Sequence, residues 1–419
     1  MPLVGAYSND ITPKGTVDLN GYILRFGKSQ GVHDPLTANF FYIVSKKQKA
    51  LIASLDILTI SSETADKLRD EISVQLKMKK EAVILAAIHT HAAVGSPYLR
   101  NVGEEDKEWL ADFEDKVIEG AKRARDKAVE CDLYAYEAYS SVAINRRNPM
   151  RGIDPNAPFI IAKKGAEITA CIINYNCHAV CLKESNLEIS ADYIYYLRER
   201  LYENLGGKFP VLFLNGGSGD IDPKLRGSFN EAKLTGGNLA DEITLAYKVY
   251  EGKKLKDGIR CETAKMTIPY NWQPGVDEAK ENLALYARRL NEAETKEDKK
   301  IAGAFHIWAE DVLKLASENK LPKCLELSIH KLTIGEAAFI AVPLEIFSSI
   351  SLKLRNHFKE SRVFVISYGN GYAGYLSDKA AHYEGGYEID DWHKYAGILP
   401  KVPYVEDIFW KSINEFSSK

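Results

Sequence analysis

The chain has 419 residues, with 55 basic and 58 acidic side chains and a formal net charge of −3. Hydrophobic residues at 45% and charged residues at 27% are the ordinary globular mix, which excludes a disordered, collagen-like or disulfide-framework protein. Without a basic excess nucleic acid is not an expected partner, and no apolar run reaches the roughly eighteen residues of a membrane helix, so no membrane insertion is expected either.

The segment Met1–Tyr7 meets Ser8, Asn9 and Asp10 at once and lacks the basic start and apolar stretch of a secretory signal. The six cysteines form no C-x-x-C, which is the usage of buried thiols in a reducing compartment. The expected location is therefore cytoplasmic.

Along the chain, Glu63 to Leu76 has helical period. Val83 to Ile88 is a short apolar run that stops at His89-Thr90-His91. Lys107 to Val129 is again helical. Phe159 to Ala162 and Ile168 to Ile173, joined by Lys163-Lys164-Gly165, read as a hairpin leading into Asn176-Cys177-His178. Ser190 is placed to cap a helix through Leu205, with Gly206 as its stop. Val211 to Leu214 leads into a glycine-rich loop ending Gly219-Asp220-Ile221-Asp222-Pro223. Val276 to Asn319 reads as two amphipathic helices broken around Thr295 to Asp298, either a solvated pair packed on the core or a lid or partner surface. Ala337 to Val342 stops at Pro343 with Glu345 beyond, and Arg362 to Ser367 opens into a loop carrying Tyr368, Tyr372 and Tyr375. No internal repeat is visible in the sequence. The expected fold class is α/β: a layered single domain over 1–419, with mixed β-sheet, flanking helices and a helical insertion at about 276–319.

Ligands of α/β sheets sit where strand ends open into loops. Those ends carry His89, His91, His178, Asp222, Glu345 and Tyr375 here. Each has a structural alternative, such as a hydrogen-bonded histidine or a glutamate favouring a helix start. Histidine and carboxylate together favour zinc, and in an extended segment His89 and His91 would point to the same side. Asp56, ending a strand, is a candidate partner for a ligand histidine.

Ala86-Ala87-Ile88-His89-Thr90-His91-Ala92-Ala93-Val94-Gly95 resembles the "THTHSGPGG" segment of the neutral (non-lysosomal) ceramidases. Asp10-Ile11-Thr12-Pro13, Gly21-Tyr22 and Gly31-Val32-His33-Asp34-Pro35-Leu36 resemble that family's opening, and Ile144-Asn145-Arg146 its "INRS". Asn176-Cys177-His178-Ala179 with Ile189-Ser190-Ala191-Asp192, then Val342-Pro343-Leu344-Glu345, then Asn370 to Tyr375 with Tyr383-Glu384-Gly385-Gly386, continue the likeness in order. The resemblance implies a ceramidase-type catalytic domain with one zinc ion per chain, held by His89, His178, Glu345 and Tyr375, with Tyr372 as a substrate contact or, in the other register, the ligand tyrosine. It implies that His91, Arg146 and Tyr383 orient substrate or stabilise an oxyanion, and that His33 and Asp34 belong to a loop lining the pocket.

Ceramidases carry a nucleophilic serine in "GDVSP", where this chain has Asp222. A carboxylate attacking an amide would form an anhydride, so Asp222 is better suited as a general base, a metal contact or an acceptor for substrate hydroxyls. Ser218 fails G-x-S-x-G and reads as a loop residue. The expected C-terminal β-domain and a membrane-binding stretch are also missing from the pattern, which disfavours ceramide. The expectation is a zinc-dependent hydrolase of a small, polar substrate through an activated water. The alternatives are an N-acyl amidase (an amidohydrolase in the ceramidase manner), a glycosidase or esterase, or an inactive metal-dependent binding protein. Oligomeric state is left open.

Overall fold

Three successive stretches of chain fold in the same order: three antiparallel strands, a helix, and a fourth strand parallel to the third. The computed structural model describes residues 1–96, 98–358 and 362–417. The first stretch comprises strands Leu3–Asp10, Thr37–Ser45 and Gln48–Leu55, helix Ser62–Leu76 and strand Val83–Ala87. The second comprises Asp132–Tyr139, Asn156–Lys164 and Glu167–Tyr175, helix Tyr193–Leu205 and strand Val211–Asn215. The third comprises Ile259–Pro269, Cys324–Ile334 and Ala337–Ala341, helix Ser348–His357 and strand Arg362–Ile366. A helix follows each fourth strand, Lys107–Asp126, Phe229–Val249 and Val405–Asn414 respectively, and packs on strands of its own stretch. The fold is thus mixed α/β with flanking helices, as expected, and its repeated topology is written in no repeated sequence.

The repetition follows from chemistry each stretch shares. The third strand of each ends in a run of buried residues, and the fourth is buried almost throughout, which suits strands covered on both faces. Parallel partners need a crossover, which the helix supplies. Ile52, Ile84, Ile172, Leu212, Phe339 and Phe364 from all three sheets share one core cluster. Polar groups also stitch the three parallel edges pairwise. Ser54 Oγ donates to Phe213 O at 2.6 Å, Asn174 Nδ2 to Val365 O at 2.7 Å, and Asn370 N to Leu85 O at 2.7 Å. These buried hydrogen bonds between sheets hold the strand ends at one place.

Some boundaries differ from expectation. The helix expected from Ser190 starts at Tyr193 and is capped by Asp192, while Ser190 Oγ donates to Asp34. The helix from Lys107 ends at Asp126, because Val129–Glu130 pairs as a strand with Leu3 and Val4. The 276–319 region is two helices, Val276–Glu292 and Lys296–Ser317, the second capped by Thr295. Tyr286, Phe305 and Trp308 bury between them and against Tyr395 and Leu399. Trp308 Nε1 donates to Ile398 O and Lys300 Nζ to Arg25 O, so the pair buttresses loops rather than standing free.

Candidate metal centre

The parallel strands deliver their exit loops to one point. His89 leaves Val83–Ala87 with φ +68°, a left-handed backbone uncommon for a residue with a side chain. The extended H-x-H geometry is therefore not what brings the histidines together. Instead Thr90 bridges Ala179, His91 N donates to Ala179 O at 3.4 Å, and His178 N donates to Ile221 O at 3.1 Å. The rings of His89 and His91, and of His89 and His178, lie 4.9 Å apart between centroids; those of His91 and His178 lie 5.8 Å apart. Gly21, at φ +104°, packs its backbone on His91, and a Cβ there would lie 2.5 Å from His91 Cγ.

The donors are prepared for a cation. His89 Nδ1 meets Leu58 O at 2.8 Å and His178 Nδ1 meets Ser218 O at 2.6 Å. A carbonyl only accepts, so each Nδ1 carries a proton, which leaves Nε2 of each ring as the nitrogen that a metal would use. Both ring nitrogens of His91 and Nε2 of His178 are buried without a partner. One nitrogen from each of the three rings comes within 4.8 Å of the others. Glu345 Oε2 stands 3.3 Å from His178 Nε2 and 3.8 Å from His89 Nε2. Burial lowers the His89 pKa to about 3, and lowers that of His91 well below the ordinary value. Burial alone would raise Glu345, but His89, His178 and the Tyr372 hydroxyl hold it at about 2. Neutral His89 and His91 beside an ionised Glu345 are in the protonation states that a metal requires. These donors fit a metal ion.

The tyrosines sort differently from expectation. Tyr372 donates its hydroxyl to Glu345 Oε1, and Tyr368 donates to Glu345 Oε2 at 3.1 Å. Tyr375 is paired to Glu345 through the backbone only; its hydroxyl accepts from Arg146 Nη2 at 3.1 Å. Arg146 also donates to Glu388, at 3.0 Å from Nε, and to Gly219 O, at 2.8 Å, while its Nη1 makes only a long 3.5 Å contact with Asp222. The other oxygen of Asp222 accepts from Arg226 Nη1, and Arg226 Nε is fixed on Val180 O. Burial would lower the Arg146 pKa, yet Tyr375, Asp222 and Glu388 outweigh it and hold it well above the usual value. Asp222 reaches the site, but between two guanidiniums, which commits its lone pairs to anchoring.

Other expected residues lie elsewhere. The Tyr383 side chain is 93% exposed on helix Lys379–Glu384 and does not face the histidines. Asp34 accepts from Ser190 Oγ and Ala191 N, and His33 stacks on Phe229 at 3.6 Å while its Nδ1 meets Asp34; this pair ties loops together rather than lining the cluster. Asp56 is bound bidentately by Arg198, so backbone carbonyls take the role expected of it. Ser218 is buried with its Oγ 3.3 Å from the Tyr368 hydroxyl. Missed in the sequence were Tyr368, which stacks on His89, and Arg226, which braces Asp222, while Glu388, expected with His382, His393 and the stretch to Trp392 to shape the pocket rim, braces Arg146. The only signal for Tyr368 was its place directly after a strand.

Scanned against family models and curated proteins, the sequence finds no match. Among solved structures, neutral ceramidase from Pseudomonas aeruginosa superposes with a TM-score of 0.76 at 18% identity, covering 98% of this chain and 73% of that one. The fold is shared with neutral ceramidase. A ceramidase complexed with C2 gives the same TM-score of 0.76 at 16% identity, over 98% of this chain and 74% of that one. The remainder of each ceramidase chain lies outside the match. No helix among the described residues is long and apolar enough to cross a membrane, and all six cysteines are unpaired.

Proposed function

We propose that residues 1–419 form one catalytic unit, a zinc-dependent hydrolase that cleaves a small, polar substrate with water as the nucleophile. The observation that carries this reading is the convergence of His89, His91, His178 and Glu345 from three sheets, with buried nitrogens that have no other partner. His89, His178 and Glu345 would hold the ion with Tyr372 in place of Tyr375, and His91 completes the wall on the substrate side. Zinc bound there supplies Lewis-acid polarisation and a water of lowered pKa.

The chain's own groups supply the rest. Arg146 is rigid on Glu388, Gly219 O and Tyr375, and its Nη1, held by one long contact, keeps donor capacity for a developing oxyanion. Asp222 and Arg226 keep that guanidinium aimed. Neither Asp222 nor the buried Ser218 is arranged as a nucleophile, which supports attack by water.

The ceramidase fold favours N-acyl amide cleavage as the first chemistry to try, and the polar arginine-carboxylate wall favours short, hydrophilic acyl compounds. The test is a panel of N-acyl amides, acyl esters and aryl glycosides, assayed before and after chelation. One class should turn over, stop on chelation and recover with zinc. Turnover indifferent to chelation would overturn the hydrolase as stated. Zinc binding without turnover of any class would favour a metal-dependent binding protein.

A further inference from the structure

A cavity of about 400 Å³ is lined in part by Tyr375 and Glu388, the two side chains that accept from Arg146. Trp392, Ile398 and Val405 give it apolar faces, and Ser377, His382 and Lys401 give it polar ones. Its shape depends on Gly374, where φ is +80° and a Cβ would lie 2.0 Å from the Trp392 ring. The indole can therefore close down on the loop and present a flat face to the space.

Lys401 is the unusual group. Its ammonium donates to Ala373 O at 2.6 Å and Tyr375 O at 2.9 Å, with Trp392 beneath at 5.9 Å. No carboxylate among the described residues pairs with it. The two carboxylates on the cavity wall are spent elsewhere: Glu388 on Arg146 and Arg147, and Asp390 on Gly386 N. Two of the three ammonium N–H groups are used, which leaves one donor on a cavity-lining group whose pKa burial lowers to about 7, so that its charge is undercompensated. A cation held this way is best compensated by an anion. One free donor suits a monoanion, and the indole and aliphatic walls suit an apolar body beside it.

We propose that this cavity is a second binding site, for a monocarboxylate carrying a small aromatic or alicyclic body, with Lys401 as the carboxylate's partner. None of the three clustered histidines lines it, and it does not depend on the hydrolase reading. The carboxylate could be a free acid or one carried by a longer substrate. The first would bind without affecting turnover of short substrates, and the second would compete with carboxylate-bearing substrates alone.

The test is a calorimetric titration of the full chain with benzoate, cyclohexanecarboxylate and the neutral isostere benzamide. Both acids should bind, and benzamide should bind at least about tenfold more weakly. Lys401→Met should weaken benzoate by at least about tenfold. Asn271→Trp, an exposed rim substitution that leaves Lys401 in place, should block it as well. Asn271→Trp carries the test should Lys401→Met fail to fold. The His89→Ala/His178→Ala double variant should bind benzoate as the parent does, which separates this site from the metal centre. Absence of benzoate binding, equal binding of benzamide, indifference to Asn271→Trp, or loss in the histidine double variant would each overturn the proposal.

Discussion

The ring of Tyr368 lies flat on the imidazole of His89, with centroids 3.9 Å apart and planes at 9°, and its hydroxyl donates to Glu345 Oε2 at 3.1 Å. One side chain thus fixes the tilt of one metal-donor candidate and the lone pair of another. Tyr368→Phe keeps the stack and loses the hydrogen bond, so zinc affinity should fall by roughly tenfold, the usual worth of a residue that orients a ligand. Tyr368→Leu loses both and should fall further. Competition with a chromophoric chelator reads both, and equal affinity of Tyr368→Leu and the parent would remove Tyr368 from the site.

Asp222 links Arg146 and Arg226. Removing it leaves two partly buried guanidiniums facing each other, so Asp222→Ala should lose ~1–3 kcal/mol in urea unfolding. Asp222→Asn, which keeps an acceptor, should lose less and bind zinc as the parent does. An Asp222→Ala variant as stable as the parent would show that the carboxylate is not an anchor.

His330 gives the fold a response to acid that is independent of the centre. Its Nδ1 faces Thr263 Oγ1 at 3.2 Å and Arg69 Nη2 at 3.5 Å, and burial, with Arg69 and Lys80 adding to it, lowers its pKa from 6.5 to about 3. Between those values the unfolded chain takes up a proton that the folded chain refuses, so stability is present above 6.5 and lost as the pH falls toward 3. By about pH 5 the loss is at most ~2 kcal/mol. The difference in unfolding free energy between pH 7 and pH 5 should shrink by about that much in His330→Gln. An unchanged difference would mean that other groups carry the acid response.

Gly374→Ala should cost ~2 kcal/mol or more, because φ is +80° and Trp392 already fills the space of a Cβ. Gly237→Ala is the control: it sits in helix Phe229–Val249 with nothing within 4 Å, and should stabilise by ~0.5–1 kcal/mol. Thermal melts of the two variants should move in opposite directions.

The site was legible where burial and chemistry met in a few adjacent residues. An apolar run ending in His89-Thr90-His91, and another ending at Pro343 and Glu345, mark strand exits from composition alone. The threefold order of strands was not legible, because a buried strand can be built from many apolar sequences and only its pairing repeats. Nor could sequence choose between Tyr372 and Tyr375, since the left-handed turns at Tyr368 and Asn370 decide which hydroxyl meets Glu345. His33 and Asp34 were misplaced for a related reason: a polar pair in a loop beside the site looks the same in sequence whether it faces the cavity or ties down Ser190.

Metal content of the purified chain, measured by mass spectrometry, tests the centre most directly. A zinc site at His89, His178 and Glu345 predicts about one zinc per chain in the parent, and almost none in a His89→Ala/His178→Ala variant whose circular dichroism is unchanged. A parent free of zinc after growth and purification with added zinc, or a double variant that keeps it, would contradict the site.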